Sequence, residues 1–111
     1  MLNQVILMGR IATDPTLRHT QTSNTAVSNF RIAIESQGRD DTTYFFDIIA
    51  WGNRAEFIYD YFGKGDMIAL CGHLVTQKKK NGDGFEWSQP AVQVDEVSFT
   101  GAPSRRDTFT E

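Results

Sequence analysis

Apolar and polar residues alternate with a strand-like period in five stretches of the chain, and a sixth stretch follows a helical period. The first alternating stretch runs from about Gln4 to Ile11 and ends before Asp14-Pro15, a turn pair in which proline presets φ and the aspartate bonds its own backbone. A short extended piece, Leu17 to Thr20, and a polar loop, Gln21 to Asn24, lead to a second strand over Ala26 to Glu35. Val27, Asn29, Arg31 and Ala33 share one face of it, and Phe30, Ile32 and Ile34 share the other. Ser36 to Asp41 reads as a turn centred on Gly38. The third strand, Thr43 to Trp51, is apolar on both faces: Phe46, Ile48 and Ala50 on one, Phe45, Ile49 and Trp51 around Asp47 on the other. One face fills a core. The aromatics of the other need a separate explanation.

The helical stretch spans Arg54 to Phe62. Asn53 is placed to cap it, with Glu56 completing a capping box. Phe57/Tyr61 and Ile58/Phe62 are neighbours along its surface, and Gly63 suits the residue after its end. A fourth strand follows, Met67 to Gln77. Asn81-Gly82-Asp83-Gly84 is a strong hairpin signal, and a fifth strand runs from Phe85 to Phe99, bent where Pro90 has no N–H to donate. The spacing therefore predicts a domain over residues 1–99 and a flexible polar tail over 100–111. The class is all-β with one helix. The order fits an OB-fold, a five-stranded Greek-key barrel with the helix between strands 3 and 4; a β-sandwich with an inserted helix is the competing architecture.

A length of 111 residues suits one such domain. The apolar stretches are too short to span a bilayer, the start lacks a basic leader, and a single cysteine allows no internal disulfide, so a cytoplasmic location and no membrane partner are expected. The net charge of −3 argues against a polyanion-binding protein only if the charges are evenly spread. They are not: Arg10, Arg18, Arg31, Arg39, Arg54, Lys64 and the run Lys78-Lys79-Lys80 hold much of the positive charge, and acids gather at Asp40-Asp41 and Asp95-Glu96.

Catalysis finds little to work with. Cys71 and His73 share a strand face and would form a nucleophile–base pair, yet no third group is in view to orient them, and a small core cysteine beside a surface histidine explains both. The only other histidine is His19, which leaves too few ligands for a metal site, and no phosphate-cradling glycine loop occurs. No catalytic residue, metal or cofactor is expected. A single-strand binder, by contrast, needs ring faces for bases and cations along the backbone path. Phe45 and Trp51 lie on one strand face roughly 20 Å apart at about 3.3 Å per residue, enough for two bases of an extended strand. Packing beneath the helix or in a subunit contact would explain them equally well. Lys78, Lys79 and Lys80 open a hairpin that carries Phe85 and Trp87, either a basic finger or a solvated tip. An adaptor that buries Phe45 and Trp51 against a partner protein is the alternative function.

The run Val5-Ile6-Leu7-Met8-Gly9-Arg10-Ile11-Ala12-Thr13-Asp14-Pro15-Thr16-Leu17-Arg18 closely resembles the opening of the bacterial-type single-stranded DNA-binding protein family. Similar matches follow at Ala26 to Ala33, Phe45 to Gly52, Tyr61-Phe62-Gly63-Lys64-Gly65-Asp66 and Gly72-His73-Leu74, so the resemblance covers about Leu2 to Val97. It implies an OB-fold that assembles as a homotetramer, often through the first strand. It also implies binding of single-stranded DNA with little sequence preference in replication, recombination and repair, at the nucleoid. By position, Phe45 and Trp51 match the family's stacking aromatics and Lys64 a backbone-contacting lysine; Arg10 and Arg31 are further carry-overs. Gly38 and Lys79 stand where the family often has two more aromatics, a loss that Phe85 or Trp87 would offset. Asp47 between the presumed stackers calls for a cationic partner or a subunit contact. The ending Ser104-Arg105-Arg106-Asp107-Thr108-Phe109-Thr110-Glu111 is not the family's acidic tip, so recruitment of other proteins by that route is not expected, and an origin in a phage or mobile element is open.

Overall fold

The computed structural model of the chain describes residues 1–36, 38 and 41–98. The expected tail, with Phe99 and Arg39, lies outside the described residues. Among the described residues, six strands and one helix follow in the order β1 (Val5–Ile11), β2 (Arg18–His19), β3 (Ala26–Glu35), β4 (Thr43–Trp51), α1 (Asn53–Tyr61), β5 (Met67–Lys80) and β6 (Glu86–Ser98). They form one sheet, β1-β5-β6-β4-β3-β2, which closes because β1 also pairs with β3 at Arg10↔Ala33 and Ile11↔Ile32. Five long strands thus make the closed barrel of an OB-fold. One expectation needs correcting. The helix lies between strands four and five, not three and four, because the extended piece at Arg18–His19 pairs with Val27 and Ala26 and is a strand in its own right.

The inward residues are those the alternation marks, except Phe46, which shares a face with Ile48 and Ala50 by period but is exposed. Phe30 and Ile32 of β3, Ile48 and Ala50 of β4, Ile68 and Leu70 of β5, and Val92 and Val94 of β6 form one buried cluster with Ala55, Ile58 and Phe62 from the helix segment. The helix packs against β3, β4 and β6. Replacing Ile58, fully buried, with alanine should cost about 2–5 kcal/mol of stability by lost burial and a residual cavity. Urea melts would register it as a lower midpoint with an unchanged slope.

The ends of the helix differ from the sequence expectation. Asn53 is already helical, and the cap is Gly52 at φ 64°, with no side-chain cap bond. The cause is the preceding strand. Gly52 N–H still bonds Ala26 O at 2.8 Å, so the chain must turn into the helix at residue 52 itself, in a conformation that favours glycine. At the other end Gly63 is not the left-handed residue. The helix stops at extended, buried Phe62, and Gly63 N–H donates to Asp66 Oδ2 at 2.8 Å. The positive φ falls at Gly65, in a turn stitched to β1 by Gly65 N–H to Ile11 O and Ile11 N–H to Asp66 O, both 2.8 Å.

The hairpin forms where its signal lies. Asn81 Oδ1 accepts from the N–H groups of Asp83 and Phe85 at 2.9 and 3.0 Å, and Gly84 supplies a φ of 86°. Its two strands stay paired from Lys80↔Glu86 to Ala69↔Ser98, and the register runs unbroken through Thr76↔Pro90. The irregularity comes instead at Cys71/Gly72, where Cys71 faces Glu96 and Gly72 faces Val94, so that Asp95 is the extra residue of a bulge.

Candidate nucleic-acid interface

Cross-strand pairing assembles residues that are far apart in the chain. In antiparallel strands, partners directly opposite one another share a face. The register therefore sets Arg18, Val27 and Trp51 in one row across β2, β3 and β4. Asn29 and Ile49 form the next, Arg31 and Asp47 the third, and Arg10, Ala33 and Phe45 the fourth. All lie on the side of β3 and β4 opposite Phe30, Ile32, Ile48 and Ala50, which fill the core. Both end rows have the same composition: a cation, a small apolar residue and an exposed aromatic. Phe45 is 52% and Trp51 38% exposed, so neither ring is buried beneath the helix. Val27 and Ile49 are buried between them and form an apolar floor.

The cations are positioned by neighbouring polar groups. Arg18 donates to Asn29 Oδ1 at 3.0 Å, and Arg10 donates to Gly65 O at 3.0 Å. Arg31 Nε pairs with Asp47 Oδ1 at 2.9 Å while its guanidinium carbon stands 5.9 Å from the centre of the Phe45 ring. This supplies the cationic partner that Asp47 requires. A groove of about 360 Å³ runs beside these rows, lined in part by Thr13, Arg18, Asn29, Arg31, Gln77 and Lys79. The arrangement offers ring faces and cations along one path, as an unpaired strand requires.

A model of the single-strand binding protein family matches residues 2–100. The chain belongs to this family. It is 33% identical over 101 residues to the single-stranded DNA-binding protein of Clostridium tetani, covering 88% of this chain and 70% of that one. Over 98 residues it is 35% identical to the Clostridium perfringens protein of the same description, covering 88% and 65%. Over 103 residues it is 31% identical to single-stranded DNA-binding protein A of Bacillus subtilis, covering 89% and 59%. The chain thus spans about 59% to 70% of the length of these three relatives. Proteins of this family bind rather than catalyse.

The other predicted residues fall around this face to different degrees. Lys79 lines the groove; Lys78 and Lys80, alternating with it along β5, are exposed on the other side of the strand. Lys64 is exposed in the turn after α1, and its N–H bonds Asp14 Oδ1 at 2.7 Å, which ties it to a residue of the groove wall. Phe85 and Trp87 stack on each other with centroids 5.9 Å apart and planes at 25°, and Trp87 is the cross-strand partner of Lys79. An aromatic therefore sits directly opposite the position where the family often carries one. Cys71 is a free, half-buried thiol, and His73 Nδ1 contacts Asp95 Oδ2 at 3.1 Å. No cluster among the described residues could hold a metal, and no helix there is long and apolar enough to cross a membrane. Arg18 is the residue that sequence reasoning undervalued. In the sequence it stands only as one of the scattered positive charges; its place after Asp14-Pro15 in the opening motif was the available signal.

Proposed function

We propose that residues 1–99 form a module that binds and coats single-stranded DNA with little sequence preference, in replication, recombination and repair. The observation that carries this is the pair of end rows: exposed Trp51 and Phe45 each share a row with an arginine, on one sheet face. Bases stack on Phe45 and Trp51, with Phe85 and Trp87 as a second platform. Arg10, Arg18, Lys64 and Lys79 follow the phosphates, with Lys78 and Lys80 as outlying charge. Arg31 adds a cation at the edge of Phe45.

The working form is a homotetramer. Ile6 and Met8 project from β1 at 76% and 60% exposure, and Tyr44, Phe46 and Leu74 are exposed as well. So many open apolar side chains on so small a domain favour burial against further copies. The expected location is the cytoplasm, at the nucleoid.

Tryptophan emission tests the reading, with titrations of unstructured oligothymidine and of duplex DNA at low and high salt. The single strand should quench strongly and the duplex weakly. The logarithm of the binding constant should fall with the logarithm of salt concentration at a slope of roughly −2 to −4, about 0.7 for each of a few phosphate-contacting cations. No quenching and no gel shift at low salt would withdraw the proposal and leave this face to a partner protein.

A further inference from the structure

The binding face carries an acid, Asp47, between two exposed aromatics and in the row next to Phe45, where a carboxylate opposes phosphate. Both of its oxygens are engaged. Oδ1 accepts from Arg31 Nε at 2.9 Å, and Oδ2 accepts from the Nε2 amide of Gln89. Arg31 belongs to β3 and stands at the Phe45 ring. Gln89 belongs to β6, and its Oε1 accepts from Trp87 Nε1–H at 3.3 Å, while Trp87 stacks on Phe85. A continuous line of contacts thus leads from Phe85 through Trp87, Gln89, Asp47 and Arg31 to Phe45. It joins the β5–β6 hairpin to the β3–β4 part of the sheet.

The backbone provides no such link at this level. β4 and β6 pair only at Ile48↔Val92 and Ile49↔Gln93, so the ladder stops short of Phe45 on one strand and of Trp87 on the other. The groove between them, lined by Phe45, Phe46, Leu74, Gln89 and Pro90, opens where the pairing ends. Asp47 lies at the first position beyond the last pair and reaches across.

We propose that Asp47 is a positioning residue of the single-strand site. It latches the hairpin so that Phe85–Trp87 and Phe45 act as one stacking surface, and it holds Arg31 beside the Phe45 ring instead of on a phosphate. The inference rests on the single-strand reading above.

The test compares Asp47→Ala and Gln89→Ala in a Trp51→Phe background, where Trp87 is the remaining tryptophan of the two. Oligothymidine is titrated over a range of salt. Asp47→Ala frees Arg31 for a phosphate, so the salt slope should steepen by about 0.7. With the latch gone, Trp87 quenching at saturation should fall at least twofold. Gln89→Ala cuts only the hairpin half, so quenching should fall while the slope stays put; it also carries the test if Asp47→Ala folds poorly. An unchanged slope in folded Asp47→Ala, or unchanged Trp87 quenching in Gln89→Ala, overturns the proposal. A merely repulsive acid would give tighter binding with neither change and is rejected or retained on the same data. If the unsubstituted protein does not bind oligothymidine at all, the single-strand reading has failed. The latch is then judged on the free protein, where Trp87 emission anisotropy should drop in both variants, and an unchanged value sinks it.

Discussion

Alanine at both Phe45 and Trp51 should weaken binding of a long oligothymidine by about 2–6 kcal/mol, since each base–aromatic stack is worth roughly 1–3 kcal/mol. That is roughly 30-fold to 20,000-fold in affinity. The two rings end rows separated along β4 by roughly 20 Å, so the single losses should add to within a few tenths of a kcal/mol. Both side chains are substantially exposed, which keeps the expected stability cost small beside the binding loss. Polarisation of a labelled oligonucleotide at fixed salt measures all three variants without relying on tryptophan. The salt slope should stay near the parent value, because no cation is removed. If each single variant loses less than threefold, the rings are not stacking platforms, and their exposure has another cause such as contact between subunits.

Gly72→Ala is expected to be the most damaging single methyl in the barrel. A Cβ there would stand 2.0 Å from Gln93 O and 2.9 Å from Gln93 C, both backbone atoms of the partner strand. A flexible side chain could swing away; a paired strand cannot, so β5 and β6 must separate beside the bulge where Gly72 faces Val94. Overpacking costs typically about 1–3 kcal/mol. Breaking ladder bonds on both sides puts this variant at the upper end or beyond, about 3 kcal/mol, against a total of about 5–15 kcal/mol for a folded domain. The melting temperature should then fall by roughly 12–24 °C at matched protein concentration, at about 4–8 °C per kcal/mol for a domain of this size. A drop below about 4 °C would mean that the strands part at that point without losing their pairing. Gly9→Ala is the natural comparison: its Cβ would meet Ala33 O at 2.6 Å, where β1 crosses from β5 to β3 and closes the barrel.

These two results probe different kinds of information. Phe45 and Trp51 were legible as candidates because alternation alone puts them on one face of a strand whose other face already supplies a core. Whether that second face was open or packed was not legible, since neither the helix position nor the course of the hairpin follows from the period. Gly72 showed nothing in the chain beyond membership of a Gly-His-Leu match, because the atom it avoids belongs to a residue 21 positions later. Arg18 needed the pairing of β2 with β3 to come into line with Trp51. Asp47 read as a misfit until Arg31 and Gln89 were placed around it. The cap at Asn53 failed for a related reason: the capping box is a local rule, and a bond from the preceding strand to Ala26 moved the turn by one residue.

The sequence by itself determined the strands, the hairpin turn, the core-facing set and the two aromatics worth testing, because periodicity and turn chemistry act over a few residues. Only the tertiary structure decided which cations stand beside which rings, where the barrel tolerates no side chain, and what neutralises Asp47. Those depend on register and closure between strands tens of residues apart, and a shift of one residue would have turned every side chain to the other face.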